Sequence, residues 1–312
     1  MWIYYWQPKV RIMRHRNGRS ASAGRRALLI ASALLALFAM IGTSAASAAP
    51  KGEYINFADC PTKNPELSGC IYGKTSSGEF TIGKQQVPIV KPQVIQGGFI
   101  ENEETGALQF VAAADGNTLP KTPQKVPGGL AGLVRCNEIS NIIERIACEV
   151  VFENGATGVN ATIELAGPAS SIVLNEINLF GETGTAIGLP VKVHLENPFL
   201  GSECYIGSNS SPVHVELTTG TTAPPLPNKP IKGKLGTIST RDGGRILVIG
   251  NNTLVDNSFA APGVSGCGGI FSFLLNPIIN SKIGLPASAG HNTAILNGTL
   301  EQTSAEAARE HE

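Results

Sequence analysis

The sequence predicts an all-β fold: an antiparallel β-sandwich or partly closed barrel with one or two short helices, stapled by disulfides. Three observations carry this. Apolar residues alternate with period two in several short runs. The chain of 312 residues holds 36 Gly and 20 Pro, spaced so that long helices have no room. All six cysteines, an even number, follow an export signal.

The first fifty residues read as that signal. Arg11, Arg14, Arg16, Arg19, Arg25 and Arg26 precede an apolar run over residues 27–41, and small residues follow up to Pro50. A basic region, a short apolar region and the small-x-small site Ala46-Ser47-Ala48 predict cleavage after Ala48. An uncleaved anchor helix is the rival reading, since residues 27–49 carry no charge. Their second half is Ser, Thr, Gly and Ala, which have little affinity for hydrocarbon. The Arg25-Arg26 pair leaves Sec and twin-arginine export both open, and Met13 is an alternative start. Residues 1–48 are therefore expected to be a signal peptide, and the product to be secreted into the extracellular space.

Residues 79–82, 87–90 and 94–95 are the first extended candidates. A proline-rich joint over residues 120–129 follows, and a second spans residues 224–230. Proline cannot continue a ladder, so these are linkers or connections between sheets. Between them, residues 159–165, 191–195 and 213–217 alternate apolar and polar; residues 245–249 and 293–297 are shorter β-like runs. We divide the exported chain into an N-terminal β-rich segment (49–129), a main β-sandwich segment (130–303) and a frayed polar tail (304–312). Asn137 is a candidate N-cap for a helix with an Ile139, Ile142, Ile143, Ile146 stripe. Residues 270–283 are apolar but contain Pro277, which suits a broken helix or a buried loop. Thr105-Gly106 and Thr183-Gly184 each lie between apolar runs, as hairpin turns do; turn chemistry explains the likeness without duplication.

Six cysteines allow fifteen connectivities, and sequence alone does not choose among them. The expectation is nearest neighbours: Cys60–Cys70, Cys136–Cys148 and Cys204–Cys267. Loop-closure entropy assigns about 3 kcal/mol to each short loop and about 4 kcal/mol to the long one. A zinc site would need C-x-x-C spacing or clustered His, and neither is present. A nucleophilic cysteine would not stay reduced outside the cell.

Seven of the 24 Lys and Arg lie in residues 1–48, leaving 17 against 24 Asp and Glu. The exported part is thus acidic, which argues against nucleic acid or a membrane surface as partner. An unknown extracellular or cell-envelope ligand is the expected partner, and no cofactor is implied. Trp2 and Trp6 are in the leader, and only Tyr54, Tyr72 and Tyr205 remain after it. A carbohydrate-binding module would ordinarily use such rings as a platform, so that reading is weakened.

The most suggestive constellation is a repeated His-x-Glu. His194 and Glu196 share one face of a strand, as do His214 and Glu216. If the two strands pair in register, two imidazoles and two carboxylates converge as a metal site or an acid/base pair. The plainer reading makes this the outer polar face, with Val193, Leu195, Val213, Val215 and Leu217 turned inward. His291 lies in a loop and reads as a surface residue. No G-x-S-x-G is present, the carboxylates are scattered, and Gly243-Gly244 precedes a strand where a phosphate loop would follow one.

Residues 57–61 (FADCP), 78–83 (GEFTIG), Gly97-Gly98 with residues 101–106 (ENEETG), and residues 290–299 (GHNTAILNGT) carry a resemblance. They resemble an uncharacterised family of exported proteins from high-GC Gram-positive bacteria. The resemblance implies bacterial export and no defined activity. The expected function is that of a secreted, non-enzymatic structural or binding protein. The alternatives are a carbohydrate-binding module and a metal-dependent hydrolase built on His194, Glu196, His214 and Glu216.

Overall fold

The computed structural model describes residues 52–130, 142 and 157–312. The expected signal peptide and the expected Cys136–Cys148 pair lie outside the described residues. Of the expected Ile stripe only Ile142 is described, helical and exposed. From Ala48 onward the chain forms one compact unit.

Among the described residues, fourteen strands make one antiparallel sheet. Its main path runs β11 (Thr237–Arg241), β12 (Ile246–Asp256), β14 (Thr293–Ser304), β1 (Gly69–Ile82), β3 (Gln93–Glu101), β4 (Leu108–Ala112), β7 (Val173–Leu174), β8 (Ile187–Glu196), β6 (Asn160–Leu165) and β5 (Gln124–Lys125). Off this path, β2 (Gln85–Pro88) pairs with β1. Both β9 (Tyr205–Ile206) and β10 (Val213–Leu217) pair with β8, and β13 (Val264–Ser265) pairs with β9. One bridge between Thr218 and Val255 draws the end of β10 to β12. The sheet curls toward a barrel and does not close. The all-β expectation therefore holds. The two expected segments, however, interleave in one sheet, since β1 lies between β3 and β14.

Several strands outrun the sequence expectation, because glycines read as breaks lie inside them. Gly78, at a φ of +133°, and Gly298 sit where β1 and β14 slip register. A Cβ at Gly78 would lie 1.9 Å from the Ile295 carbonyl oxygen, and one at Gly298 would lie 2.1 Å from that of Lys74. Here glycine permits backbone contact that any side chain would block.

Three α-helices are described. In α1 (Glu176–Gly181) the Asn175 side chain accepts from the Asn178 N–H at 3.0 Å, and Glu182 ends the helix in the left-handed region. Thr183-Gly184 therefore follows a helix end, whereas Thr105-Gly106 does turn the β3–β4 hairpin. Residues 272–283 form α2 (Ser272–Ile283), with Pro277 inside it. This corrects the expected broken helix or buried loop. Pro277 is on the exposed side, where the carbonyl four residues earlier can be solvated. No described helix is long and apolar enough to cross a membrane.

The polar tail is not frayed. Residues 305–310 form α3 (Ala305–Glu310), capped by Ser304 Oγ accepting from the Ala307 N–H at 3.1 Å. Ala305, Ala307 and Ala308 are buried with Tyr54, Phe57, Leu67 and Ile246 in a core on the outer side of the sheet. Small side chains let the helix lie close, a property that a polarity count overlooks. Arg309 donates to the carbonyls of Thr62 (2.9 Å) and Asn64 (2.8 Å). His311 stacks on Tyr54 at 3.9 Å, and Tyr54 donates to Asp242 at 2.6 Å. Burial, then that hydrogen bond, raises the Tyr54 phenol above its ordinary pKa. The two ends of the compact unit are thus clasped over one face.

Cys60–Cys70 and Cys204–Cys267 are disulfide-bonded, spanning 10 and 63 residues. The first lies in the outer core beneath the clasp; the second joins the segments that carry β9 and β13.

Gly298→Ala should destabilise the fold by about 3 kcal/mol or more, since neither backbone can retreat. Gly243→Ala, at a φ of +62° but with open space around it, should cost only about 1–2 kcal/mol. Urea unfolding of the two variants reads the difference.

Candidate functional site

The two His-x-Glu strands are neighbours, but their register keeps the four side chains apart. β10 pairs with β8 through Val213↔Val191, Val215↔Leu189 and Leu217↔Ile187, which matches apolar residues on the inner face. His214 therefore opposes Pro190, and Glu216 opposes Gly188. His194 lies four residues beyond Pro190 on the same face, about 13 Å along the strand. The expected convergence of His194, Glu196, His214 and Glu216 on one metal does not occur. Among the described residues no group of three or more His, Cys, Asp or Glu is placed to hold a metal ion. The plainer reading is the one observed: Val193, Leu195, Val213, Val215 and Leu217 are all buried.

His194 and Glu196 belong instead to an ion network over β6. Glu164 Oε1 lies 2.9 Å from Lys121 Nζ and 3.7 Å from His194 Nδ1, and Lys192 Nζ is 4.0 Å from Glu164 Oε2. His194 Nδ1 is 3.6 Å from Glu196 Oε1, and Glu196 Oε2 accepts from Thr162 Oγ1 at 3.0 Å. The imidazole stacks on Tyr205 at 4.5 Å, with Lys192 Nζ 4.7 Å from the same ring centroid. The hydrogen bond that Lys121 donates to Glu164, then the charge of Glu164, holds the Lys121 ammonium above its ordinary pKa. This network covers the outer face of β6 so fully that Thr162 and Glu164 are buried.

His214 and Glu216 line an open groove of about 780 Å³ with Pro212, Asp256, Ser258 and Ser288. The Asp256 carboxylate is 2% exposed and accepts from the N–H groups of Glu216 (2.7 Å) and Ser258 (2.8 Å). Burial raises its pKa, and the two N–H groups oppose that rise. Ser288 Oγ lies 3.2 Å from Nδ1 of the exposed loop residue His291. The groove's aromatic residue, Phe259, is buried and offers no stacking platform.

Along β6 the polar residues Thr162 and Glu164 are buried under the ion network, while Ile163 on the inner face is only partly covered. Ile163 faces a void. Two adjoining cavities, of about 50 Å³ and about 80 Å³, lie inside the curled sheet. Phe80, Gln93 and Ile163 border both. Val126, Val193 and Ile206 help to line the first, and Ile95, Leu189 and Leu296 the second. Gln93 is 8% exposed; its Nε2 donates to the Thr122 carbonyl at 2.9 Å, and its Oε1 is buried without a hydrogen-bond partner. An unpartnered acceptor in the wall between two largely apolar voids becomes a recognition element once its side chain turns toward either one. Sequence reasoning missed it. The available signal was a glutamine two residues before Ile95, at inward parity on a strand.

The raised Asp256 pKa sets a sign for pH dependence. Between the ordinary carboxylate pKa and the raised one, the folded state binds more protons than the unfolded state, so this group's contribution falls as pH rises through that window. Urea unfolding between about pH 4 and 6 should show this as a more negative pH slope in the wild type than in Asp256→Asn. No family profile, curated protein or solved structure matches this chain.

Proposed function

We propose that this is an exported, non-enzymatic binding protein that holds a small apolar molecule inside its curled sheet. The carrying observation is the pair of adjoining apolar cavities bordered by the unpartnered Gln93 Oε1. The ligand class follows from size and chemistry. Each void, of about 50 Å³ and about 80 Å³, is smaller than the roughly 150 Å³ of an apolar cavity that takes up benzene or xenon, so a ring-sized ligand joins the two by moving the wall of Phe80, Gln93 and Ile163. A ligand that also offers one hydroxyl or N–H donor would satisfy Gln93 after its side chain turns toward the void, relieving an unpartnered oxygen whose desolvation costs about 1–3 kcal/mol. Phenols and short alcohols are of this class. Export is supported by the leader sequence and is compatible with the two disulfides.

A second reading rests on the groove. Its size, open shape and hydrogen-bonding residues His214, Glu216 and Ser258 suit a glycan held without ring stacking. A glycan array that returns no binder removes it. The hydrolase reading has lost its shared ligand set.

Phenol and benzene titrations distinguish the cavity reading from it. Phenol should raise the unfolding temperature in a concentration-dependent way, and benzene should do so more weakly. Gln93→Leu should abolish the preference for phenol, a loss of about 1–2 kcal/mol, while benzene still binds. Absence of binding by both probes, together with no xenon in either void of pressurised crystals, would exclude the proposal.

A further inference from the structure

The α2 helix wears its polarity inside out. Its two asparagines, one helical turn apart, are spent on the protein: Asn276 Oδ1 accepts from the Cys267 N–H at 3.1 Å and Asn280 Oδ1 from the Val264 N–H at 2.7 Å. Ile279 and Ile283 are buried beside them. The outer side carries Phe273, Leu274 and Ile278, and the preceding turn adds Ile270 and Phe271. These five side chains are between 47% and 84% exposed. A water-facing helix has the opposite arrangement. From ordinary side-chain areas the five expose about 600 Å². That is at the upper end for the largest apolar patch of a monomer, and most of the roughly 800 Å² that one partner contributes to a stable interface.

Charge selects the partner. No Asp, Glu, Lys or Arg occurs from Val264 to Ser281, so two copies of this patch meet without like charges. A helix that lies on a membrane brings a basic face, and after the leader this chain is acidic. A self-complementary contact about a two-fold axis is also the commonest way for identical chains to close an assembly.

We propose that the face formed by Ile270, Phe271, Phe273, Leu274 and Ile278 is a homodimer interface, α2 packing against α2 of a second copy. This inference does not rest on the proposed cavity ligand.

Sedimentation velocity on the chain from Ala49 onward, between 1 and 100 μM, tests this. The wild type should sediment as a dimer at the upper end. Phe273→Ser/Leu274→Ser alters only exposed side chains and should keep the circular dichroism spectrum while weakening association at least tenfold. Ile55→Ser, at an exposed apolar residue in another part of the sequence, should change nothing. A wild type that stays monomeric at 100 μM overturns the proposal. So does a double variant that dimerises equally well, or a monomer that instead co-sediments with phosphatidylcholine vesicles.

Discussion

The pairing of β1 with β14 is the constraint on which the rest of the structure depends. It joins residues more than two hundred positions apart, from Gly69↔Ser304 at one end to Thr81↔Thr293 at the other. Its closure entropy is therefore set against contacts that form only once nearly the whole chain is in place, the regime of slow β folding. On one side of this pair lies the outer core, where the Cys60–Cys70 disulfide, Tyr54 and α3 are clasped. On the other side, Phe80, Leu296 and Leu300 contribute wall to the larger cavity. Gly78 and Gly298 let the two backbones pass at the register slip, so two hydrogen atoms in place of side chains permit both faces.

The cavities persist because β6 is held from outside. A strand facing a void gains by moving inward until its apolar residues touch a partner. Here Ile163 is only partly covered, yet Glu164 and Thr162 are tied outward to Lys121, Lys192, His194 and Glu196. An Asn197 Nδ2 bond to the Gly158 carbonyl at 2.9 Å fixes the strand's start. A buried carboxylate left without its cations would cost several kcal/mol, so inward collapse of β6 must break the network first. Polar contacts on one face thus oppose collapse of the apolar space on the other.

Much of this was legible in the sequence, and the illegible part has a physical cause. Alternation over 191–195 and 213–217 identified two strands and their buried side correctly. It could not give their register, because any shift by two residues keeps the same faces inward. That ambiguity is why the His-x-Glu pairs looked convergent and are not. The strands exceed the expected runs 79–82, 245–249 and 293–297 because Gly78, Gly250 and Gly298, which bound those runs, lie within ladders. The tail misled through its charges, since three small alanines did the packing. The cavities were invisible in principle: periodicity shows which residues face inward, and not whether they meet.

The α2 helix links the two surfaces that matter most. Its last residue, Ile283, helps to line the smaller cavity, and its carbonyl accepts from the Lys84 N–H at 2.7 Å, tying the helix end to the β1–β2 turn. One turn earlier, Asn280 anchors the segment that leads to Cys267 and its disulfide. A molecule larger than the present voids has to displace wall side chains, and Ile283 cannot shift far without carrying a helix whose other side bears Phe273 and Ile278. The exposed face and the enclosed space thus share one twelve-residue element.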